Sequence, residues 1–202
     1  MGKQVCNHAE ENQNPAPSAE AHGHGRVTRA NRTVSTEASL TLAGMIPYDH
    51  LARAYSKAYW ECRRGEEENN NSDQHTDREK ELSLAIRQAR EDWRQELEGM
   101  LTSERRVVEA ILLSWEQWAE AGPALLTFRL TQMLTGHGCF GEYLTKIGAE
   151  ETAACHHCPA DTDTAQHTLE VCETFDEMRG NLIAETGTDL TPAALIMALL
   201  AG

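Results

Sequence analysis

Three cysteines and a histidine near the end of the chain have the types and the spacing of metal ligands. Cys155, Cys158, His167 and Cys172 form the pattern C-x2-C-x8-H-x4-C. Three thiolates and one imidazole satisfy tetrahedral coordination of Zn²⁺, and the two-residue spacing of the first pair lets a tight turn direct both sulfur atoms at one ion. We predict a structural zinc site, because four protein ligands leave no open position for water or substrate. No catalytic residue is assigned.

A short helix is expected to carry part of this site. Asp163 is a candidate N-cap, with Gln166 at the third helical position as in a capping box. His167 would then lie on the helix. Cys172 follows five residues later, about 140° further around an ideal helix. The helix must therefore loosen before Cys172 if both side chains are to face one ion.

The segment around the site is poor in large apolar side chains. Residues 148–176 cannot form a substantial core of their own, so metal binding must supply much of their folding free energy. His156 and His157 lie inside the pattern, but adjacent residues on a tight turn point apart. We therefore place them beside the site or in solvent rather than among the ligands.

Composition restricts the partners and the compartment. The 202 residues include 18 basic and 32 acidic side chains, a net charge of −14, which argues against strong autonomous binding of DNA or RNA. No apolar run approaches the roughly 18 residues of a membrane span, and the start has no signal-like stretch. We expect an intracellular protein, in the nucleus or the cytoplasm, whose clustered cysteines bind metal rather than form disulfides.

The elements that must position the site are predicted to be helices. Apolar residues recur every three or four positions through most of the chain, and no stretch alternates with the period of a strand. We predict a mainly α fold: an irregular helical bundle followed by a small CCHC zinc knuckle. The predicted division is a disordered tail at 1–30, a helical linker domain at 31–148, the knuckle with its following helix at 149–186, and a terminal apolar helix at 187–202.

Capping residues and helix-breaking residues predict where the individual helices begin and end. Ser35 should cap a helix that ends at Gly44, and Pro47 should open the next one. A polar hinge is expected at 65–77, followed by a long helix at about 77–101. Ser103 should cap one continuous helix that carries Val107 to Trp118 and stops at Gly122–Pro123, and "GHG" at 136–138 should break a further helix. An apolar stripe on the helix after Pro47 would consist of Leu51, Tyr55, Ala58 and Tyr59.

Two longer stretches and the cluster together resemble a known family. The stretches are "NRTVSTEASLTLAGMIPYDHLA" (31–52) and "LTQMLTGHGCFGEYLTKIG" (130–148), and the cluster contains D-T-A-x-H-T-L before its last cysteine. They resemble the C-terminal region of reverse transcriptase polyproteins from non-LTR (LINE-like) retrotransposons, over about residues 31–182. The resemblance implies a helical linker plus a CCHC zinc knuckle that lies beside a polymerase and helps guide RNA and DNA. It also implies that "GHGCF" braces the knuckle against the helices.

The chain also departs from that family. It has no Y-A-D-D-like motif and no strands to carry metal-binding aspartates, and an endonuclease domain is missing. We therefore expect no enzymatic activity, and we interpret the chain as a truncated C-terminal fragment of such an element.

Three other interpretations stay open. Arg87, Arg90, Arg94, Arg105 and Arg106 could form a phosphate track, although a solvated face with glutamate partners is favoured. His137 and Cys139 could form a nucleophilic pair, which neighbouring residues rarely do. The chain could instead be a zinc-stabilised helical module that binds another protein through its tryptophans and terminal helix, or an inert remnant. The candidate partners are thus RNA or DNA, a polymerase domain, or another protein.

Overall fold

The computed structural model describes residues 28–68, 74–99 and 105–202. By their contacts, the described residues divide into two compact units. The larger unit consists of residues 28–44 and 105–202. The hairpin unit consists of residues 45–68 and 74–99.

Helices account for the regular secondary structure of the described residues, and none of those residues lies in a β-strand. The predicted mainly α fold is therefore confirmed. The α-helices are α1 (Thr36–Leu42), α2 (Tyr48–Glu68), α3 (Gln74–Gly99), α4 (Arg105–Leu112), α5 (Trp115–Ala121), α6 (Phe128–Thr135), α7 (Gly141–Lys146), α8 (Ala165–Glu170), α9 (Asp176–Thr186) and α10 (Pro192–Ala201), with 3₁₀ turns at Gly122–Leu125 and Glu173–Phe175.

The first helix begins and ends where its sequence signals predict. The Ser35 hydroxyl accepts a hydrogen bond from the Ala38 amide at 3.1 Å. Gly44 lies just beyond the helix with φ +61°, and a Cβ there would approach Ala119 Cα to 3.1 Å. Glycine is needed at this position both for the left-handed backbone and for the close approach of α5.

Helix α4 lies at the centre of the larger unit, where it contacts α1, α6 and α10. The indole of Trp118 is fully buried on α5, and its Nε1 donates to the carbonyls of Thr41 and Leu42 at 3.2 and 3.1 Å. The indole thus supplies a donor to the Leu42 carbonyl and a further one to the Thr41 carbonyl, which also accepts from the Gly44 amide at 3.1 Å. The core of the unit also contains Ala38, Val107, Ile111, Trp115, Leu134 and Ile196.

The prediction of one continuous helix up to Gly122 is wrong. The chain turns after α4, where the Ser114 amide donates to the Ile111 carbonyl at 2.9 Å in a tighter, three-residue pattern. The Ser114 carbonyl then accepts from the Trp118 amide at 2.8 Å and starts α5. Each helix presents its own apolar face, which apolar spacing alone does not reveal. Ser103 lies outside the described residues.

The hairpin unit is built on small side chains. Ala54 and Ala58 of α2 pack against Ala85 and Ala89 of α3, with Ile46 beside them. Partly buried Leu51, Leu82 and Ile86 complete this core. Alanine at facing positions lets two helices approach closely along their length.

The predicted apolar stripe on α2 is wrong for its two tyrosines. Tyr55 and Tyr59 are exposed, whereas Ala54, which the stripe did not include, is buried. Tyrosine spacing at helical period indicated a core face, but the close approach of α3 leaves no room for large rings between the helices.

The predicted polar hinge is also largely helical. Helix α2 continues to Glu68 and α3 begins at Gln74, so of residues 65–77 only 69–73 lie outside the described residues. The glutamates at the end of α2 favour a helix even without an apolar face. The long helix α3 matches its prediction within a few residues, with Trp93 and Leu97 buried.

The arginines of α3 favour the solvated-face interpretation. Arg94 donates to Glu91 at 3.0 Å through Nε and to Glu98 at 2.6 Å through Nη1. Its charge is thus matched by two carboxylates on its own helix. The side chain of Arg105 lies outside the described residues.

Most of the predicted disordered tail lies outside the described residues. The described part of this tail is residues 28–30. Thr28 is buried, and its carbonyl accepts a hydrogen bond from the Thr131 hydroxyl at 2.7 Å. The other domain boundaries remain predictions. Within the described part of the chain, no helix has the length and the apolar character required to cross a membrane.

Candidate metal centre

The four predicted ligands come from three structural elements of the larger unit. Cys155 and Cys158 lie in the irregular segment that follows α7, His167 lies on α8, and Cys172 comes directly after the end of that helix. Cys172 is fully buried, and the other three side chains are partly exposed.

The structure brings the four side chains together. Their potential ligand atoms all lie within 4.8 Å of one another. Cys155 Sγ lies 3.9 Å from Cys172 Sγ, and Cys158 Sγ lies 3.3 Å from His167 Nε2. Bond lengths of about 2.3 Å to sulfur and about 2.0 Å to nitrogen place tetrahedral ligands about 3.8 Å apart for two sulfurs and about 3.5 Å apart for sulfur and nitrogen. The four side chains could therefore hold a metal ion.

The end of α8 makes the five-residue spacing possible. The amides of both Val171 and Cys172 donate to the carbonyl of His167 at 2.9 Å. Val171 departs from helical geometry with φ −123°. The loosening of the helix before Cys172, which the spacing predicts, is therefore observed, and it turns the thiol back toward the imidazole.

The predicted N-cap of α8 is wrong by one residue. Thr164 is the cap, and its hydroxyl accepts from the His167 amide at 2.9 Å. Asp163 instead turns inward and is buried. Its Oδ2 accepts from the Gly141 amide at 3.2 Å, and its backbone carbonyl accepts from the Glu142 amide at 2.9 Å. A buried carboxylate needs hydrogen-bond donors, and the Gly141 amide and the Thr168 hydroxyl, which donates to Oδ1 at 3.4 Å, supply them.

Gln166 does not serve a capping box either. Its side-chain oxygen accepts from Arg106 Nη2 at 2.8 Å, and its nitrogen donates to the Leu190 carbonyl at 3.3 Å. Arg106 also donates through Nε to the Met133 carbonyl at 3.0 Å. Arg106 thus connects α4, α6 and α8, so it serves internal packing rather than a phosphate track.

Gly141 allows the segment before the cysteines to lie against α7. A Cβ at this position would come within 2.5 Å of the Ala153 carbonyl oxygen and 2.8 Å of the Ala154 carbonyl oxygen. The Ala153 carbonyl accepts from the Asp163 amide at 2.7 Å, and the Cys155 amide donates to the Ala160 carbonyl at 2.9 Å. These bonds fix the backbone that carries the first two cysteines.

A small apolar cluster completes the support of the centre. Ala165 of α8 packs with Phe140, Tyr143 and Leu144, and Met133 and Ile147 border them. Phe140, the last residue of "GHGCF", thus lies in one cluster with Ala165 of the helix that carries His167.

Arg179 fixes the chain on the other side of the centre. Its Nε donates to the Leu169 carbonyl at 2.7 Å and its Nη2 to the Cys172 carbonyl at 2.6 Å, while Nη1 pairs with Asp176. Sequence reasoning missed this role, because an arginine ten residues from its partner carries no local signal of a backbone contact.

The two extra histidines stay outside the cluster, as predicted. His156 Nε2 pairs with the Glu150 carboxylate at 2.9 Å. The His157 ring meets Phe175 edge-on, with 5.1 Å between the centroids. Adjacent residues on the turn indeed point to different neighbours.

The electrostatics of the centre suit a cation. Burial raises the pKa of the Cys155 thiol to about 11, so a chain without metal holds this sulfur protonated at neutral pH. A bound cation would have to displace that proton. No lysine or arginine occurs between Lys146 and Arg179, whereas eight aspartates and glutamates do.

His137 and Cys139 have separate neighbours. The His137 ring stacks on Tyr143 with 4.6 Å between centroids, and its Nδ1 lies 3.2 Å from Thr33 Oγ1. Cys139 Sγ lies 3.8 Å from Arg129 Nη1. These contacts describe packing, and the nucleophilic pair stays a disfavoured alternative.

Comparisons with known proteins support the resemblance. The chain is 29% identical over 182 residues to the "Retrovirus-related Pol polyprotein from type-1 retrotransposable element R1 4" of Nasonia vitripennis. The match covers 85% of this chain and 44% of the relative, so the chain spans less than half of the relative's length. No protein-family model matches the chain. No solved structure matches it significantly. The resemblance to a retrotransposon polyprotein is confirmed.

Proposed function

We propose that Cys155, Cys158, His167 and Cys172 bind one structural Zn²⁺ in a non-catalytic part of a retrotransposon Pol polyprotein. This part would help to guide RNA or DNA beside a polymerase domain. The observation that carries the proposal is the convergence of the four ligand atoms within 4.8 Å.

The donor set favours zinc. Three sulfurs and one imidazole nitrogen at tetrahedral separations suit Zn²⁺, whereas Mg²⁺ and Ca²⁺ require oxygen ligands. The side chains present thus fit the metal that the sequence pattern predicts.

The number of protein ligands and the burial of Cys172 favour a structural role over a catalytic one. All four positions of a tetrahedron would be filled by protein groups, and Cys172 is inaccessible to solvent. The segment between α7 and α8 has no helix or strand of its own, so a metal would tie its two cysteines to α8. Gly141 and Asp163 then hold this segment against α7.

Guidance of nucleic acid is proposed from the similarity to a Pol polyprotein. The acidic surroundings of the centre argue that the centre itself does not contact phosphate, since like charges would repel it. The centre would instead keep its segment folded and docked, while other surfaces contact the strand.

The metal can be tested by native mass spectrometry of the full chain. We expect one Zn²⁺ per chain, and we expect replacement by Co²⁺ to give the absorption of a tetrahedral thiolate site. Cys158→Ser should weaken binding at least tenfold, while Cys62→Ser, which changes a cysteine of the hairpin unit that is not among the four ligands, should leave it unchanged. A wild-type chain that binds no zinc, or binds it equally well as Cys158→Ser, would contradict the proposal.

A second function is favoured by a specific observation. Val171 and Met178 are exposed near the centre, in an acidic region of the surface. Apolar side chains in such surroundings suit a protein partner better than a phosphate backbone. A chain that binds no RNA or DNA at low salt would favour this protein-binding module, or an inert remnant, over nucleic-acid guidance.

A further inference from the structure

An exposed aromatic face lies on α2 of the hairpin unit. Tyr48, Tyr55 and Tyr59 are exposed by 54, 54 and 44%, and Trp60 by 59%. The three tyrosines occupy positions i, i+7 and i+11, which lie on one side of a helix. They are three of the four tyrosines in a chain that is only 5% aromatic. The concentration of rings on this helix is therefore unusual for the chain.

The buried core of the hairpin consists of other side chains. The buried contacts of α2 with α3 are made by Ala54 and Ala58, together with partly buried Leu51. Tyr59 and Trp60 contact each other edge-on, with 5.2 Å between centroids. Between positions 48 and 64, every large apolar side chain that is exposed is aromatic.

Residues 48–64 of α2 are basic, although the whole chain is acidic and the helix ends on Glu66, Glu67 and Glu68. From Tyr48 to Arg64 there are four basic and two acidic side chains, in a chain of net charge −14. The two acids are paired, Asp49 with Arg53 and Glu61 with Arg64, each at 2.5 Å. The basic side chains that remain for a ligand are Lys57 and Arg63, which are exposed and have no acidic partner among the described side chains.

A cleft joins this face to α3. Tyr55 and Tyr59 line it from α2, and Arg78 and Leu82 line it from α3. Two rings beside a guanidinium can stack a flat aromatic ligand and contact an anion next to it.

We propose that α2 and this cleft bind single-stranded nucleic acid. Bases stack on Tyr55 and Tyr59, while Lys57, Arg63 and Arg78 contact phosphates. Aromatic rings interleaved with cations form the surface that binds single strands without sequence preference. A protein-docking face would include exposed aliphatic side chains, whereas the exposed apolar side chains at positions 48–64 are aromatic and Leu82 in the cleft is partly buried in the hairpin core. The inference rests on the proposed guidance of nucleic acid, but it uses no residue of the metal centre.

The test is fluorescence anisotropy with labelled oligo(dT) and oligo(U) of 12 nucleotides and the zinc-loaded full chain. We expect binding at low salt that weakens as salt rises, with quenching of tryptophan fluorescence. Absence of binding to both oligonucleotides at low salt would overturn the proposal.

Variants locate the site. Tyr55→Leu with Tyr59→Leu keeps apolar volume but removes the rings, and we expect a loss of affinity of roughly tenfold or more. Tyr55→Phe with Tyr59→Phe is the matched control, because stacking is retained, and its affinity should stay within about twofold. Lys57→Gln with Arg63→Gln should reduce the salt slope by about 1.4, since each phosphate contact contributes about 0.7. Equal affinities of the leucine and wild-type chains would contradict the proposal.

Chelation separates this inference from the proposed function. The affinity of the zinc-free chain for the oligonucleotides should equal that of the loaded chain within about twofold. If chelation abolishes binding while the leucine variants bind normally, the strand binds at the metal centre. The aromatic site is then refuted, and the nucleic-acid function stands.

Discussion

Gly141 and Asp163 show how single residues position the metal centre. Gly141 leaves space for the carbonyls of Ala153 and Ala154, and Asp163 accepts a hydrogen bond from the Gly141 amide. Neither residue is a potential ligand, yet both hold the segment that carries two of the ligands. Any side chain at 141 must displace backbone rather than a flexible side chain.

Gly141→Ala should therefore destabilise the zinc-loaded chain by about 1–3 kcal/mol, the usual cost of overpacking. Zinc affinity should fall with it, because the cysteine segment can no longer lie against α7. Urea denaturation and a competitive zinc titration measure the two effects.

Gly180→Ala is the matched control for this change. Gly180 lies inside α9, and a Cβ there meets nothing within 4 Å. Alanine should stabilise that helix by about 0.5–1 kcal/mol. Equal effects of the two substitutions would show that the close approach at 141 does not restrict the fold.

The pKa of His137 leads to a second prediction at the residue scale. Burial, and to a smaller extent the charge of Lys146, lowers the pKa of His137 to about 4. Its unfolded pKa is about 6.5, so below that pH the unfolded chain binds a proton that the folded chain excludes. The associated stability is complete above pH 6.5 and decreases as the pH falls toward 4.

Denaturation of wild type and His137→Gln between pH 8 and 5.5 measures this effect. Relative to the variant, the free energy of unfolding of the wild-type chain should fall by about 1 kcal/mol between pH 8 and pH 5.5. Protonation of the metal ligands at low pH affects both chains, so it cancels in the difference. A difference that does not change with pH would contradict the burial of a neutral imidazole.

At the scale of elements, the α2–α3 hairpin depends on alanine. Ala54, Ala58, Ala85 and Ala89 form its interface together with partly buried Leu51, Leu82 and Ile86, whereas Tyr55 and Tyr59 are exposed. Helical periodicity predicted both helices and placed Leu51 and Ala58 in the core correctly, but it wrongly placed Tyr55 and Tyr59 there. The spacing of apolar residues along a helix does not show how closely the partner helix packs against it. That distance decides whether a tyrosine side chain fits into the interface.

Ala58→Leu should destabilise the hairpin by about 1–3 kcal/mol, because three additional carbons must enter a close interface. Ala52→Leu, on the exposed side of the same helix, should change stability by less than about 0.5 kcal/mol. Denaturation monitored by circular dichroism compares them. A larger effect at 52 than at 58 would refute the described interface.

At the scale of the whole molecule, the two sequence stretches that carry the resemblance meet in space. Asn31 Nδ2 donates to the His137 carbonyl at 3.0 Å, and Thr33 Oγ1 lies 2.5 Å from Tyr143 Oη. More than 100 residues separate these partners in the chain. The second stretch, the metal centre and residues 31–44 of the first stretch thus belong to the larger unit, whereas residues 45–52 belong to the hairpin unit. Neither the resemblance nor the cysteine–histidine spacing predicted these contacts.

Whether the other features could be predicted depends on how far apart their interacting residues lie in the sequence. Caps, breakers and ligand spacing are local, so α1, α3 and the loosened end of α8 could be predicted from the sequence. Asp163, Arg106 and Arg179 bond to groups that lie from 7 to 60 residues away in the chain. Such contacts exist only once the helices have packed, and local patterns cannot reveal them.

The most direct test of the metal centre is hydrogen exchange of the full chain with and without a chelator. Removal of zinc should sharply increase amide exchange across residues 150–175, where the described backbone is held by the four ligands and by few apolar contacts. Exchange in the α2–α3 hairpin should stay unchanged, because none of the four ligands belongs to it. Unaltered protection of residues 150–175 after complete loss of zinc would contradict the account.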